Sequence, residues 1–133
     1  MKTTRIIASA ALALASALVL QPALAQQPGV HRTELQRYDI SIPGWEVVHV
    51  RIDIGPGMTV PNHKHPGEEV VYVLDGSLEY RLEGSAPVTL KAGDVLFIPK
   101  GIVHNVKNVG SDNASELSVY VVEKGKPLVE PVK

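Results

Sequence analysis

The sequence predicts an all-β fold, a sandwich or small barrel, on three observations. Eight or so short segments carry strand signals. Turns rich in Gly, Pro and Asp separate them every eight to twelve residues or so. No window beyond residue 26 repeats its apolar residues with a helical period.

The elements follow in order. In Val47–Ile54, Val48, Val50, Ile52 and Ile54 share one face while His49, Arg51 and Asp53 share the other, and Gly55-Pro56-Gly57 stops the strand. Glu69–Leu74 is a nearly continuous apolar run ended by the turn pair Asp75-Gly76. Leu78, Tyr80 and Leu82 alternate with Glu79, Arg81 and Glu83 before the turn Gly84–Pro87. Val88–Leu90 is short and ends at Ala92-Gly93-Asp94; Val95–Ile98 is fully apolar, which predicts a strand buried on both faces. His104–Val109 and Leu117–Val122 complete the set around a polar loop, Gly110–Ser115. The segments Gln26–Asp39 and Glu123–Lys133 read as extended arms, the first of them able to pair with a sheet edge, on this or a second subunit. With no internal repeat and no linker, residues 26–133 form one domain.

Residues 1–25 carry a separate signal. Lys2 and Arg5 precede a run of Ala, Leu, Ile and Val from Ile6 to Leu20, Pro22 breaks it, and Ala23-Leu24-Ala25 has the small-residue pattern of a cleavage site. This is the three-part signature of a secretory signal peptide cleaved after Ala25, and the apolar run is shorter than the ~20 residues a membrane span requires. A periplasmic or secreted product, free of the membrane after cleavage, is expected. Removing 25 of the 133 residues leaves 108, and with Lys2 and Arg5 gone 11 basic side chains face 14 acidic ones, a net charge of −3.

Composition excludes several functions. No cysteine is present, so there are no disulfides, thiolate metal sites or thiol nucleophiles. Aromatic residues make up 5% and the charge is near balance, which argues against a base-stacking surface or a nucleic-acid partner. A small cysteine-free domain in an oxidising compartment must rely on packing, a metal or oligomerisation, and a homodimer is expected.

The chemistry-bearing residues cluster in two places. His63 and His65 stand at i and i+2, on one face if the segment is extended. Glu69 shares parity with Val71 and Val73, so it faces inward if they do, whereas Glu68 points away. His104 follows the turn Pro99-Lys100-Gly101. Three imidazoles and a carboxylate suit Mn, Fe, Ni, Zn or Cu rather than Ca or Mg.

A His-x-His pair alone is weak, but its surroundings are ordered. Gly57, His63, His65, Glu69 and Gly76 fall at one fixed set of spacings, and Gly93, Pro99, Gly101, His104 and Asn108 at another. These two strings, residues 57–76 and 93–108, resemble the two signature motifs of the cupin family at every defining position. The 16 residues between them match the small single-domain bacterial cupins. The resemblance implies a double-stranded β-helix (jelly-roll) barrel holding one divalent transition metal through His63, His65, Glu69 and His104. It leaves Asn108 as a strand-end polar residue and places His31 and His49 outside the pattern.

Fold and ligands do not choose a reaction. The leading expectation is a metal-dependent oxidoreductase of dioxygenase or oxidase type acting on a small oxygen-rich organic molecule. Alternatives are a metal-dependent decarboxylase or isomerase, and a non-catalytic module that binds a small ligand or the metal. A purely structural metal is disfavoured, because such sites are usually closed and tetrahedral. Tyr80, His49 and Arg81 are the candidate proton-handling or polar groups, with no motif behind any of them.

Overall fold

The computed structural model describes residues 27–133; the signal peptide expected at residues 1–25 lies outside them. The described residues form ten strands: β1 (Val30–Asp39), β2 (Trp45–Ile54), β3 (Thr59–Lys64), β4 (Gly67–Asp75), β5 (Ser77–Leu82), β6 (Val88–Lys91), β7 (Val95–Ile98), β8 (His104–Asn108), β9 (Ala114–Glu123) and β10 (Glu130–Pro131). They pair antiparallel into two five-stranded sheets, ordered β1-β2-β9-β4-β7 and β10-β3-β8-β5-β6. The turn residues act as their sequence predicts, with Gly57, Gly76, Gly93 and Gly101 all at positive φ.

The apolar faces of the two sheets enclose a core. Val48, Val50, Ile52, Ile54, Val71 and Val73 come from one sheet, and Leu78, Tyr80 and Val106 from the other. β2 and β4 thus bury the faces their alternation predicts. β9 does the reverse of its pattern. Its more polar face, Glu116, Ser118 and Tyr120, points inward and is buried, while Leu117, Val119 and Val121 lie on the outer side, half-buried.

Two expectations are corrected. β7 is not buried on both faces: it is an edge strand, Ile98 is buried, and Val95 and Phe97 are 58% and 56% exposed because nothing among the described residues covers the outer side of the sheet. The amino-terminal segment takes the sheet-edge course open to it, as β1 pairs with β2 of the same chain through nine register positions and a bulge between Glu34 and Gln36. The tail, by contrast, is not a free arm. β10 pairs with β3, the Val132 amide donates to the Asn62 carbonyl, and Leu128 packs against the core.

Gly67 is set by close approach. A Cβ there would stand 1.9 Å from the Val121 carbonyl oxygen, so β4 and β9 can meet at this register only without a side chain. That register places Glu69 opposite Tyr120, two residues into β4 and facing inward.

Candidate metal centre

β3, β4 and β8 converge on one point. His63 pairs directly across from His104 in the β3–β8 ladder. Pro61 is tolerated inside β3 because a bulge interrupts pairing between Val60 and His63. His65 lies just beyond β3, still on the inner side. Each of the three imidazoles offers a nitrogen, and these atoms lie within 4.8 Å of one another, all three residues being buried. Glu69 completes the group: its Oε2 is 3.1 Å from His65 Nε2 and 3.3 Å from His104 Nε2. Glu68 is on the opposite face of β4, as its parity requires.

The imidazoles share one tautomer. Nδ1 of His63 is 2.7 Å from the Pro61 carbonyl, Nδ1 of His65 is 2.6 Å from that of Leu128, and Nδ1 of His104 is 3.0 Å from that of Ile102. A carbonyl only accepts, so each Nδ1 carries the proton and each Nε2 turns a lone pair inward. Burial, with His104 beside it, pulls the His63 pKa down to about 4, keeping that ring neutral at ordinary pH.

This arrangement fits a cation. His65 Nε2 and Glu69 Oε2 are fully buried, and neither makes a hydrogen bond. A neutral imidazole lone pair facing a carboxylate oxygen in a dry interior is repulsive, and a positive ion between them removes the repulsion. Ligand atoms each ~2.1 Å from one ion and at right angles to each other lie about 3.0 Å apart, close to the 3.1 and 3.3 Å observed here.

The centre opens into a narrow cavity with room for about one water molecule, lined also by Arg32, Tyr80, Glu116 and Tyr120. Tyr80 donates a 2.5 Å hydrogen bond to Glu116 Oε2. Burial, then the charge of Glu69, raises the Glu116 pKa to about 8 against the opposing pull of Tyr80 and Arg32. Burial also raises Tyr80 and Tyr120 well above the ordinary phenol value. The cavity wall therefore carries a carboxyl group that is mostly protonated near neutrality, hydrogen-bonded to a phenol.

Of the candidate polar groups, Tyr80 reaches the cavity. His49 lies on the outer face of β2, its Nδ1 2.9 Å from Gln36 Nε2, and Arg81 is exposed beside Glu79. Asn108 is fully buried. Its side-chain amide donates to the Ile54 and Asp112 carbonyls and its Oδ1 accepts from the Gly110 amide, so it staples the loop after β8. Sequence reasoning missed Arg32, Glu116, Tyr120 and the Leu128 carbonyl. The first three were marked only by polar side chains at alternating strand positions, and the carbonyl by nothing.

A double-stranded β-barrel with a buried histidine triad and a carboxylate at one end defines a metal-binding jelly-roll protein. The chain belongs to the cupin family: residues 50–120 match the family described as "Cupin domain". Germin-like protein subfamily 2 member 2 of Arabidopsis thaliana is 44% identical over 87 residues, 59% of this chain and 40% of that protein. The oxalate-binding protein of Thermotoga maritima is 37% identical over 73 residues, 54% of this chain and 60% of that one. The chain spans only about two fifths of the plant germin-like proteins it matches. Among solved structures, a recombinant oxalate oxidase in complex with glycolate superposes with a TM-score of 0.64 at 27% identity, covering 80% of this chain and 57% of that one. A double-stranded β-helix protein of Klebsiella pneumoniae reaches 0.65 at 23% identity over 84% of this chain and 90% of its own, a likeness of fold.

Proposed function

We propose that this chain is an exported metal-dependent oxidoreductase. In this reading it holds one divalent transition metal through His63, His65, Glu69 and His104 and acts on a small oxygen-rich acid. The observation that carries it is the buried, unbonded pair His65 Nε2 and Glu69 Oε2, set beside two further inward-facing imidazoles. A bound ion of this class would supply Lewis-acid polarisation, or a one-electron centre, at an oxygen of the ligand.

The chain's own residues supply the rest. The cavity has room for about one water-sized group, so the ligand in this reading must be small. Arg32 on the cavity wall provides a positive charge for a carboxylate. Tyr80 and Glu116 provide a proton that can be held or moved at Glu116 Oε2. Two proteins similar to this one are named for oxalate binding and oxalate oxidation, which supports an acid of that kind. A second reading is a non-catalytic binding module, favoured by the likeness to the oxalate-binding protein. Export rests on the Lys2/Arg5, Ile6–Leu20 and Ala23-Leu24-Ala25 pattern.

Elemental analysis of protein taken from its native compartment is expected to show one transition ion per chain. That ion should be lost in His63→Ala, His65→Ala, Glu69→Ala and His104→Ala, and kept in Glu68→Ala and His49→Ala. Metal retained in Glu69→Ala and lost in Glu68→Ala would refute the ligand set. Oxygen uptake by the loaded protein across catechols, diketones and dicarboxylic acids tests the reaction. Silence throughout, with acid-induced thermal shifts, would favour the binding module. Amino-terminal sequencing of the exported protein should begin at Gln26.

A further inference from the structure

We propose that residues 125–131 are a displaceable gate over the metal centre, hinged at Gly125, in which Val129 is the plug that sets how large a ligand the centre admits. The gate requires only the metal centre; the acid named as its ligand rests on the reading above.

The closed cavity does not admit what has to pass. His63, His65, Glu69 and His104 are all buried, and the space beside them holds about one water molecule. An organic acid, or an ion arriving with part of its water shell, is larger than that, so one wall has to move.

The construction of the wall singles out the part that moves. Among the described residues lining the cavity, Val129 alone lies outside a strand, in the stretch between β9 and β10; the others stand within β1 to β5, β8 and β9. That stretch is lightly held. The backbone of residues 125–129 makes one hydrogen bond to the barrel, in which the Leu128 carbonyl accepts from His65 Nδ1 at 2.6 Å. Beyond it β10 pairs with β3 at two positions, Glu130 with Lys64 and Pro131 with His63, and Val132 donates one bond more to Asn62. Pro131 has no N–H to donate and is tolerated because β10 is an edge strand. The Lys64–Glu130 ion pair is 3.8 Å long and partly exposed, so it holds little. Leu128, packed against the core, is the main anchor. β9, by contrast, is paired to β2 at ten positions and to β4 on its other side. Segments with few buried apolar contacts and few hydrogen bonds open first.

Two features give the opening a chemical consequence. Gly125 is at φ +78° with open space where a side chain would stand, so the chain can pivot there. Arg32 lies on the same wall as Val129, and a carboxylate that enters where Val129 leaves meets its guanidinium. The Leu128 carbonyl leaves with the gate and frees the His65 ring, so ion exchange and ligand entry share one motion.

A reversible lock tests this. The chain has no cysteine, so Lys64→Cys/Glu130→Cys places two thiols directly across the β3–β10 pair and can close a single intramolecular disulfide. Loaded with Zn(II), the oxidised protein is expected to release its ion to a chromogenic chelator about tenfold or more slowly than the same protein reduced, because the open fraction governs the rate. Equal rates in the two forms would overturn the gate. Val129→Ala should quicken zinc release and, by calorimetry, shift the affinity ratio of malonate to oxalate about tenfold towards malonate. Release and ratio both unchanged would show that Val129 is no plug. Hydrogen exchange on the loaded wild type needs no substitution. The Val132 amide should be protected about a hundredfold less than the amides of β9, and equal protection would overturn the gate. Silence from both acids in every form would refute the acid reading, and the gate and its plug would then be judged on zinc release, slowed by the lock and quickened in Val129→Ala.

Discussion

Replacing Glu116 by Gln should change how stability responds to pH, and the size follows from the burial of this carboxyl. Its pKa stands at about 8 in the folded chain against an ordinary 4.5. Between those values the folded protein keeps a proton that the unfolded chain has released. Stability therefore falls as pH rises, by about 1.4 kcal/mol per pH unit and about 5 kcal/mol in all. The glutamine oxygen still accepts from the Tyr80 hydroxyl and titrates nowhere in this range. From pH 5 to 8 the wild type should lose about 4 kcal/mol relative to Glu116→Gln, with the variant the more stable at pH 8. The assay is urea unfolding of chelator-treated protein at pH 5, 6, 7 and 8 and at one protein concentration. His63, with a folded pKa of about 4, acts in the opposite sense below pH 6.5. It is common to both proteins and cancels in the difference. Parallel pH profiles for wild type and variant would show that Glu116 is ionised and solvated, and would refute its assignment as a protonated wall of the cavity.

Further outcomes follow from the same geometry. Truncation after Gly125 removes the Leu128 carbonyl that orients His65, and should weaken metal affinity about 10- to 100-fold, measured by competition with a chromogenic chelator. Unchanged affinity would mean the tail does not position the ring. Gly67→Ala puts a methyl group 1.9 Å from the Val121 carbonyl and should cost about 3 kcal/mol or more, read as a lower urea midpoint. Metal-free protein should also lose about 3 kcal/mol as pH falls from 6.5 to 4, because His63 is buried neutral and the unfolded chain takes up the proton first. The loaded protein should release its ion over the acid range as protons compete for the imidazoles, followed by elemental analysis after dialysis.

Much of the site could be read from local spacing. His63 and His65 share a face because side chains alternate along extended chain, and Glu69 follows Val71 and Val73 inward for the same reason. The turn at Gly101, with φ +76°, delivers His104 opposite His63. These are properties of short segments, and the two motifs contain them whole. The residues that eluded sequence reasoning come from elsewhere in the chain. Arg32 stands on β1 and Glu116 on β9, and the Leu128 carbonyl belongs to a tail that lacks a strand pattern of its own.

Periodicity determined which residues share a face; only the tertiary structure decided which face is inside. Along β9 the alternation separates Leu117, Val119 and Val121 from Glu116, Ser118 and Tyr120 without ambiguity. Hydrophobicity alone would turn the first set inward. The chain does the opposite, because β9 runs through the middle of its sheet beside β2 and β4, and its inner row must line the cavity around Glu69. There the polar side chains find partners, Glu116 with the Tyr80 hydroxyl, while the apolar row is left on the broad outer face. The two-residue period is a local steric property of extended backbone, whereas the choice of buried face depends on what the neighbouring strands bring to each side.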